Sequence, residues 1–540
     1  MTAAADRLVT NAEIHTLSDP ETVFEAMAIR DGEIVRLGDS SELEFLNGVE
    51  TDVIDCDGRV VLPGFIDAHT HMEQLGQHLV HADLSAATSA DECLELLAAE
   101  GDRTASAVAA DADSDAAPAD ERSDDWIIGF GYDESTWTDR GHRLTRVDLD
   151  AVSETRPVAA LRVDLHTVSL NSVALERLAD EMPDSDIVYE DGDPVGIAVE
   201  DAAEVVRREV AADREQMRDL LTAAAEYAVA RGVTGVHDKV RSDTSPRVYR
   251  ELAAAGELPI RVRIDYWSDY LEALSKVGLV TNAGNDRVQT GAIKSFSDGS
   301  IGSRTAKLRE PYTDADVDDE SETEDEPTSG QWVVDPAELT SIVERADDAR
   351  FQLSVHAIGD EAIEETLSAL EETADPADSR HRIEHAELAT DDQLERMADA
   401  GIVASMQPNF HRWADEGGLY DQRLGRERRE RSNPLGRVLE VGAPLAFGSD
   451  GMPLGPLLGV HHAVNAPSED QRLSVTEALR AYTRGAAYAG FDEDRLGTLA
   501  VGKRADFVVL EASPWDQPER IGEIDVALTA VDGEVVFERE

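Results

Sequence analysis

His69 and His71, one residue apart, close an apolar run that begins at Val60 and continues through Phe65 and Ile66. Successive side chains of a β-strand alternate faces, so both imidazoles would leave the same face. Two imidazoles converging at the end of a buried strand can grip one divalent metal. An isolated His-x-His pair also occurs on protein surfaces, so the reading depends on what else the chain supplies. It supplies Lys294, His356, His385 and Asp450, each at the end of a later apolar run, where core packing would not ask for a polar group. His237, followed by Asp238, ends another such run, and a place on the substrate side or behind the ligands is expected for it.

The elements that must position these residues follow a rhythm. Apolar runs occur before His69 and at 232–238, 259–265, 288–294, 352–356, 382–385, 402–406 and 444–450, and segments such as 337–349, 360–372 and 390–400 read as helices between them. Eight strand units alternating with helices predict a (β/α)8 TIM-like barrel, whose chemistry sits at the C-terminal ends of its strands. The chain ends differ from this middle. Residues 7–60 carry short strand patterns around Asp31-Gly32 and Asp57-Gly58, and 506–537 repeats that character around Asp532-Gly533. Neither end alone has enough strands for a stable sheet, so 1–60 and 497–540 are expected to form one composite β-sandwich domain. The catalytic barrel would then be 61–496, with a long insertion at 73–230 after the first strand. Two acidic tracts, 101–125 and 313–329, read as solvated loops.

The formal net charge is −64, and lysine appears only at 239, 276, 294, 307 and 503. Acid spread along the whole chain points to a halophilic protein working in concentrated salt, where carboxylate repulsion is screened. It argues against a nucleic-acid partner. Cys56 and Cys93 are the only cysteines, which excludes a disulfide framework and a cysteine-rich zinc site. No signal peptide and no apolar run near the ~20 residues of a membrane span are visible, so a cytoplasmic protein without membrane contact is expected. Lys294 stands out in a chain that mostly uses arginine for positive charge. Arginine cannot lose its proton in a protein, whereas lysine can, and so can become a carbamate.

Pro63-Gly64-Phe65-Ile66-Asp67-Ala68-His69-Thr70-His71, Lys294 with Asp298-Gly299, His356-Ala357-Ile358-Gly359-Asp360, Arg382-Ile383-Glu384-His385-Ala386 and Gly448-Ser449-Asp450 together resemble the amidohydrolase superfamily. The stretch from Lys294 to Lys307 and the stretch from Leu165 to Leu175 are similar to its amidohydrolase-3 branch, which includes N-substituted formamide deformylase. The resemblance implies a metal-dependent hydrolase of non-peptide C–N bonds, in amides, formamides or related groups, acting on a small-molecule substrate. His69, His71 and Asp450 would hold a buried metal and His356 and His385 a more exposed one, with a carboxylated Lys294 bridging the two. A bridging hydroxide would attack the carbonyl, and Asp450 would accept its proton and pass it to the leaving amine. Zinc suits such a histidine-rich site, while manganese, iron or cobalt would fit the same ligands. Asp133, Trp137, His166 and Asn171 of the insertion, and Asp298, Arg304 and Glu384 beside the metal strands, are the residues placed on the substrate side. A homodimer is compatible with this reading. Two alternatives stay open: a mononuclear deaminase-like hydrolase, against which Lys294 speaks, and a catalytically silent binding protein of the same fold.

Overall fold

Eight parallel strands form the central sheet, in sequence order from one edge to the other: β1 (Phe65–Thr70), β2 (Val233–Val240), β3 (Arg261–Trp267), β4 (Val288–Phe296), β5 (Leu353–Ala357), β6 (Arg382–His385), β7 (Val403–Met406) and β8 (Leu445–Phe447). These are the eight apolar runs of the sequence. The computed structural model describes residues 4–111, 126–164, 166–315 and 329–539.

The sheet curls into a barrel whose seam lies between β8 and β1. No ladder joins these two strands directly. The loop after β8 does so instead: Asp450 N–H donates to the His69 carbonyl (2.7 Å), and the Ser449 amide and hydroxyl donate to the carboxylate of Asp67. Gly448 makes the approach possible, since a Cβ there would lie 2.4 Å from the His69 nitrogen. Helices Pro336–Asp348, Asp360–Glu371 and Asp391–Ala400 connect strands β4 to β7 and bury apolar faces such as Leu339, Ile342 and Val343. Pairing register then fixes which residues share a level inside the barrel. Lys239 sits beside Asp265, Lys294 beside Ser354, and His356 beside Glu384.

Both ends of the chain contribute to one further sheet. It pairs Val60–Pro63 and Glu13–His15 with Phe507–Leu510, Val526–Val531 and Glu534–Glu538. A second, four-stranded sheet uses Arg7–Thr10, Ala26–Arg30, Glu33–Gly38 and Asp52–Asp55. Val9, Met27, Ile29, Val61, Phe507 and Val509 share a core between them. Leu8–Ile14, which reads as one strand, is two. A left-handed backbone at Asn11 breaks the run and sends its halves to different sheets.

Residues Glu73–Ala224 form a separate compact unit. Its mixed six-stranded sheet is buried on both faces, with Ile128, Ala159 and Leu161 entering one core and Ile127, Val158 and Ala160 the other. Strands covered on both sides read as unbroken apolar runs, which is how they look in the sequence. Residues 202–231 have a continuous helical pattern, yet they fall in two helices, Glu200–Glu209 and Arg214–Val229. The tract expected as a loop from 101 is helical through Asp111, the end of helix Ala90–Asp111. Its alanines favour helix over coil despite the acid around them. Residues 112–125 and 316–328, the greater part of the two acidic tracts, lie outside the described residues, as does Leu165.

Candidate metal centre

His69 and His71 extend from the end of β1, and Asp450 follows β8. Nε2 of His69 and Nε2 of His71 lie 3.4 and 3.2 Å from Oδ1 of Asp450. One ligand atom from each of the three falls within 4.8 Å of the others, so they surround one point. The other ring nitrogens fix the tautomers. Nδ1 of His69 donates to Oε2 of Glu384 (2.7 Å), and Nδ1 of His71 to the carbonyl of Lys239 (3.2 Å). Both Nε2 lone pairs are thereby left facing the shared point, the arrangement that orients histidine ligands.

His385 reaches the same end of the barrel by breaking the strand rule. Arg382 and Glu384 alternate inward on β6, so its neighbour His385 would face out. Positive φ values of 73° at His385 and 49° at Ala386 swing the imidazole back. Its ring centroid then lies 5.0 Å from that of His69 and 4.4 Å from that of His356. Asp450 also has positive φ (58°). Left-handed backbone at such non-glycine residues costs of order 1–3 kcal/mol and persists where surrounding structure fixes it. His356, on β5, donates from Nε2 to the carbonyl of Gly299 (2.9 Å).

Burial holds the imidazoles of His69, His356 and His385 neutral. It lowers His69 to about 4 against the pull of Glu384 and Asp450, and it lowers His356 to about 3, with Lys294 adding to the effect. His385 is pushed well below the ordinary histidine range by burial and then by His356 and His69. Burial opposes the charge of Asp450, yet the histidines around it hold that carboxylate far below its usual range. Lys294 is 1% exposed, and its Nζ has no hydrogen-bond partner among the described residues; burial lowers it to about 7. Nδ1 of His385 is likewise buried without a partner. Neutral imidazoles, an ionised carboxylate and orphaned buried nitrogens make a donor set that fits a divalent cation.

Behind the ligands lies a charged network of which the sequence reading placed only Glu384, and placed it on the substrate side. Lys239 Nζ donates to Asp265 (2.6 Å) and to the carbonyl of Ala68 (3.0 Å). Arg382 Nη2 lies 2.8 Å from Glu384, and Ser354 donates to the same carboxylate (2.6 Å). Lys239, Asp265, Arg382 and Glu384 are all fully buried. Burial works against the charge of Glu384, but Arg382, Lys239 and His69 hold it well below its ordinary value. The lysine-scarcity argument applied to Lys294 would have found Lys239 as well.

Several residues placed on the substrate side have their side chains engaged elsewhere. Asp298 is buried and accepts from the amides of Lys307, Ile358 and Gly359, pinning the 299–307 loop against the end of β5. Arg304 pairs with Asp314. His237 lies inside the barrel, where its Nδ1 accepts from Arg382 (2.9 Å). In the insertion unit, Asp133 caps the turn Glu134–Thr136, Trp137 packs in one of its cores, and Asn171 caps helix Ser172–Leu178. His166 is exposed beside Glu200. Aromatic rings flank the histidines instead. Phe296 stacks on His356 (4.5 Å) with Trp267 beyond it, and Phe410 lies parallel to His385 (5.9 Å) with Trp413 beyond.

A barrel of this topology with inward histidines and an aspartate at its C-terminal end defines the class of metal-dependent barrel hydrolases. The amidohydrolase family model matches residues 52–537, and the chain belongs to that family. It is 31% identical to the putative amidohydrolase YtcJ of Bacillus subtilis (strain 168), covering 97% of this chain and 98% of that protein. It is 26% identical to N-substituted formamide deformylase of Arthrobacter pascens, covering 100% and 99%. Among solved structures, a metal-dependent hydrolase of Pyrococcus horikoshii OT3 superposes with a TM-score of 0.77 at 29% identity, over 95% of this chain and 99% of that one. The protein is a metal-dependent hydrolase of C–N bonds. No helix among the described residues is long and apolar enough to cross a membrane.

Proposed function

We propose that this protein hydrolyses a small N-acyl or N-formyl amine at the centre formed by His69, His71, Lys294, His356, His385 and Asp450. The observation that carries the reading is the convergence of His69, His71 and Asp450 on one point beside a buried, unpartnered Lys294. When bound, the metal lowers the pKa of water toward ~7 and polarises the substrate carbonyl. Asp450 takes a proton from the attacking water and returns it to the leaving nitrogen, so that amide and water become acid and amine. Glu384 holds His69 in the tautomer that keeps Nε2 free. Phe296 and Phe410 give apolar walls on either side, suited to an apolar group next to the scissile bond. The metal is zinc by donor type, two ions per chain, with Lys294 carboxylated: its neutral amine adds to carbon dioxide and releases one proton, leaving a carbamate that offers two oxygens. Of the remaining residues expected at the substrate, Asp133, Trp137, His166, Asn171, His237, Asp298 and Arg304 act through the positions they hold rather than by touching it.

The same reading is of a cytoplasmic protein of a cell with concentrated salt, with a catalytic barrel at 61–496 and a composite β domain of 1–60 and 497–540; a homodimer is compatible with it. A single-metal centre is the alternative, since His69, His71 and Asp450 by themselves can hold one ion. Elemental analysis of wild type and Lys294→Ala in high-salt buffer separates the two. Near two metals per chain in the wild type, falling on mutation, supports the bridged centre, and loss of N-formyl and N-acyl amine hydrolysis should accompany it. One metal, unchanged by the mutation, overturns the bridge, and no metal in either protein overturns the hydrolytic reading.

A further inference from the structure

Two residues past His385, Glu387 is 2% exposed and carries a carboxylate that the chain only half satisfies. Among the described residues its side chain has two partners, the hydroxyl of Tyr420 (2.5 Å) and the side-chain amide of Asn433 (3.3 Å), and both donate to Oε2. Oε1 receives no hydrogen bond, and it is not sealed from solvent as Oδ1 of Asn433 is. The other buried carboxylates among the described residues use both oxygens. Asp67, Asp238 and Asp298 spend theirs on amides and hydroxyls. Glu100, Asp265, Glu384 and Asp506 have a cation among their donors.

The open oxygen belongs to the mouth of the barrel. The Ala386 amide donates to the Ala357 carbonyl (3.0 Å) and the Leu388 amide to that of Ile358 (3.1 Å), which carries the pairing of β5 and β6 past the ladder and holds Glu387 at the same rim as the ligands. Two residues of chain span at most about 7 Å, so its backbone stays that close to that of His385. Tyr420 continues the aromatic wall beside the centre: its ring lies 6.1 Å from Trp413, which lies 4.8 Å from Phe410. Burial raises the Glu387 carboxyl above its ordinary range against its two donors, and Asp298 and Asp450 add negative charge around it, so the missing donor at Oε1 is best supplied by a cation.

We propose that Glu387 Oε1 binds a protonated amine on the substrate, so that the protein acts on alkyl diamines acylated or formylated at one nitrogen. The inference rests on the hydrolytic reading for the reaction, while the binding of the amine stands apart from it. The ammonium donates to Oε1, and Tyr420 and Asn433 hold Oε2 so that Oε1 stays turned outward. Phe410 and Trp413 cover the methylenes between the ammonium and the scissile bond.

Two sulfonamides that resist hydrolysis test the binding: N-(aminobutyl)methanesulfonamide and N-pentylmethanesulfonamide, which differ by an ammonium in place of a methyl group. They are titrated calorimetrically into the metal-loaded full chain in high-salt buffer, where the general surface charge is screened. The wild type should bind the cationic compound about 10–100-fold more tightly than the neutral one, and Glu387→Gln, which keeps an acceptor for Tyr420, should lose most of that ratio with its metal content unchanged. Equal affinities in the wild type, no binding of the cationic compound, or a ratio that survives in Glu387→Gln each overturn the site. Loss of metal from Glu387→Gln overturns it too, by assigning the carboxylate to the metal centre. Hydrolysis of N-(aminobutyl)acetamide and N-pentylacetamide is then compared. Preference for the first by the same ratio supports the substrate class. Glu387-dependent binding with neither acetamide hydrolysed overturns the diamine substrate and the hydrolytic reading, and leaves the amine site standing.

Discussion

At the scale of single residues, the metal centre is as much a matter of what stands behind the ligands as of the ligands. Glu384 receives His69, Ser354 and Arg382 at once, and all of these contacts are buried. Replacing it by glutamine keeps the shape but lets the amide present a donor to Arg382 or to His69. Glu384→Gln is expected to weaken metal retention about 10–100-fold, with circular dichroism unchanged, as measured by competition with a chromophoric chelator. The ligand-type residues were legible because each ends an apolar run and because lysine is rare in this chain. Glu384 was legible only as a flank of His385. What the strand pattern could not convey is that two adjacent residues, Glu384 and His385, both serve the centre; that depends on the positive φ at His385, which no residue-type rule announces.

At the scale of elements, all eight barrel strands could be read from apolar runs, since strands buried on both sides carry little polar interruption. The connections were harder. The 299–307 loop after β4 is held by Asp298, whose carboxylate accepts three backbone amides and which burial raises to about 7. The same loop supplies the Gly299 carbonyl that orients His356. Sequence reasoning placed Asp298 toward the substrate because an aspartate next to a metal strand looks reactive; its three amide donors come from residues up to 61 positions away and are invisible in the chain. Asp298→Asn cannot accept at both oxygens. It should cost about 1–3 kcal/mol in urea unfolding and speed amide exchange at Lys307, Ile358 and Gly359, read by hydrogen exchange. Unchanged exchange at those three amides would remove Asp298 from this role.

At the scale of the whole molecule, stability has a pH term and a salt term. His381 is fully buried, accepts from the Leu353 amide, and is lowered by burial to about 4. The unfolded chain binds this proton at about 6.5 and the folded chain does not, so stability is full above that pH and falls as pH drops toward 4, by on the order of 3 kcal/mol. His381→Asn keeps an acceptor for Leu353 and removes the titration, so its urea midpoint should depend less on pH in that window than that of wild type. Salt acts through the surface. A net charge of −64 on 24113 Å² is one charge per about 380 Å², a mean spacing near 19 Å. The Debye length is ~30 Å at 0.01 M salt, ~10 Å at 0.1 M and ~3 Å at 1 M, so repulsion between neighbours is strong at the first and nearly gone by the last. The unfolding midpoint should therefore rise steeply from about 0.01 to 0.5 M potassium chloride and flatten beyond if screening is the whole effect. A continued rise toward ~3 M would assign the remainder to ion exclusion or ion binding, which screening cannot supply at that separation. Scanning calorimetry across that range, repeated with potassium glutamate, divides the general term from one that depends on the anion.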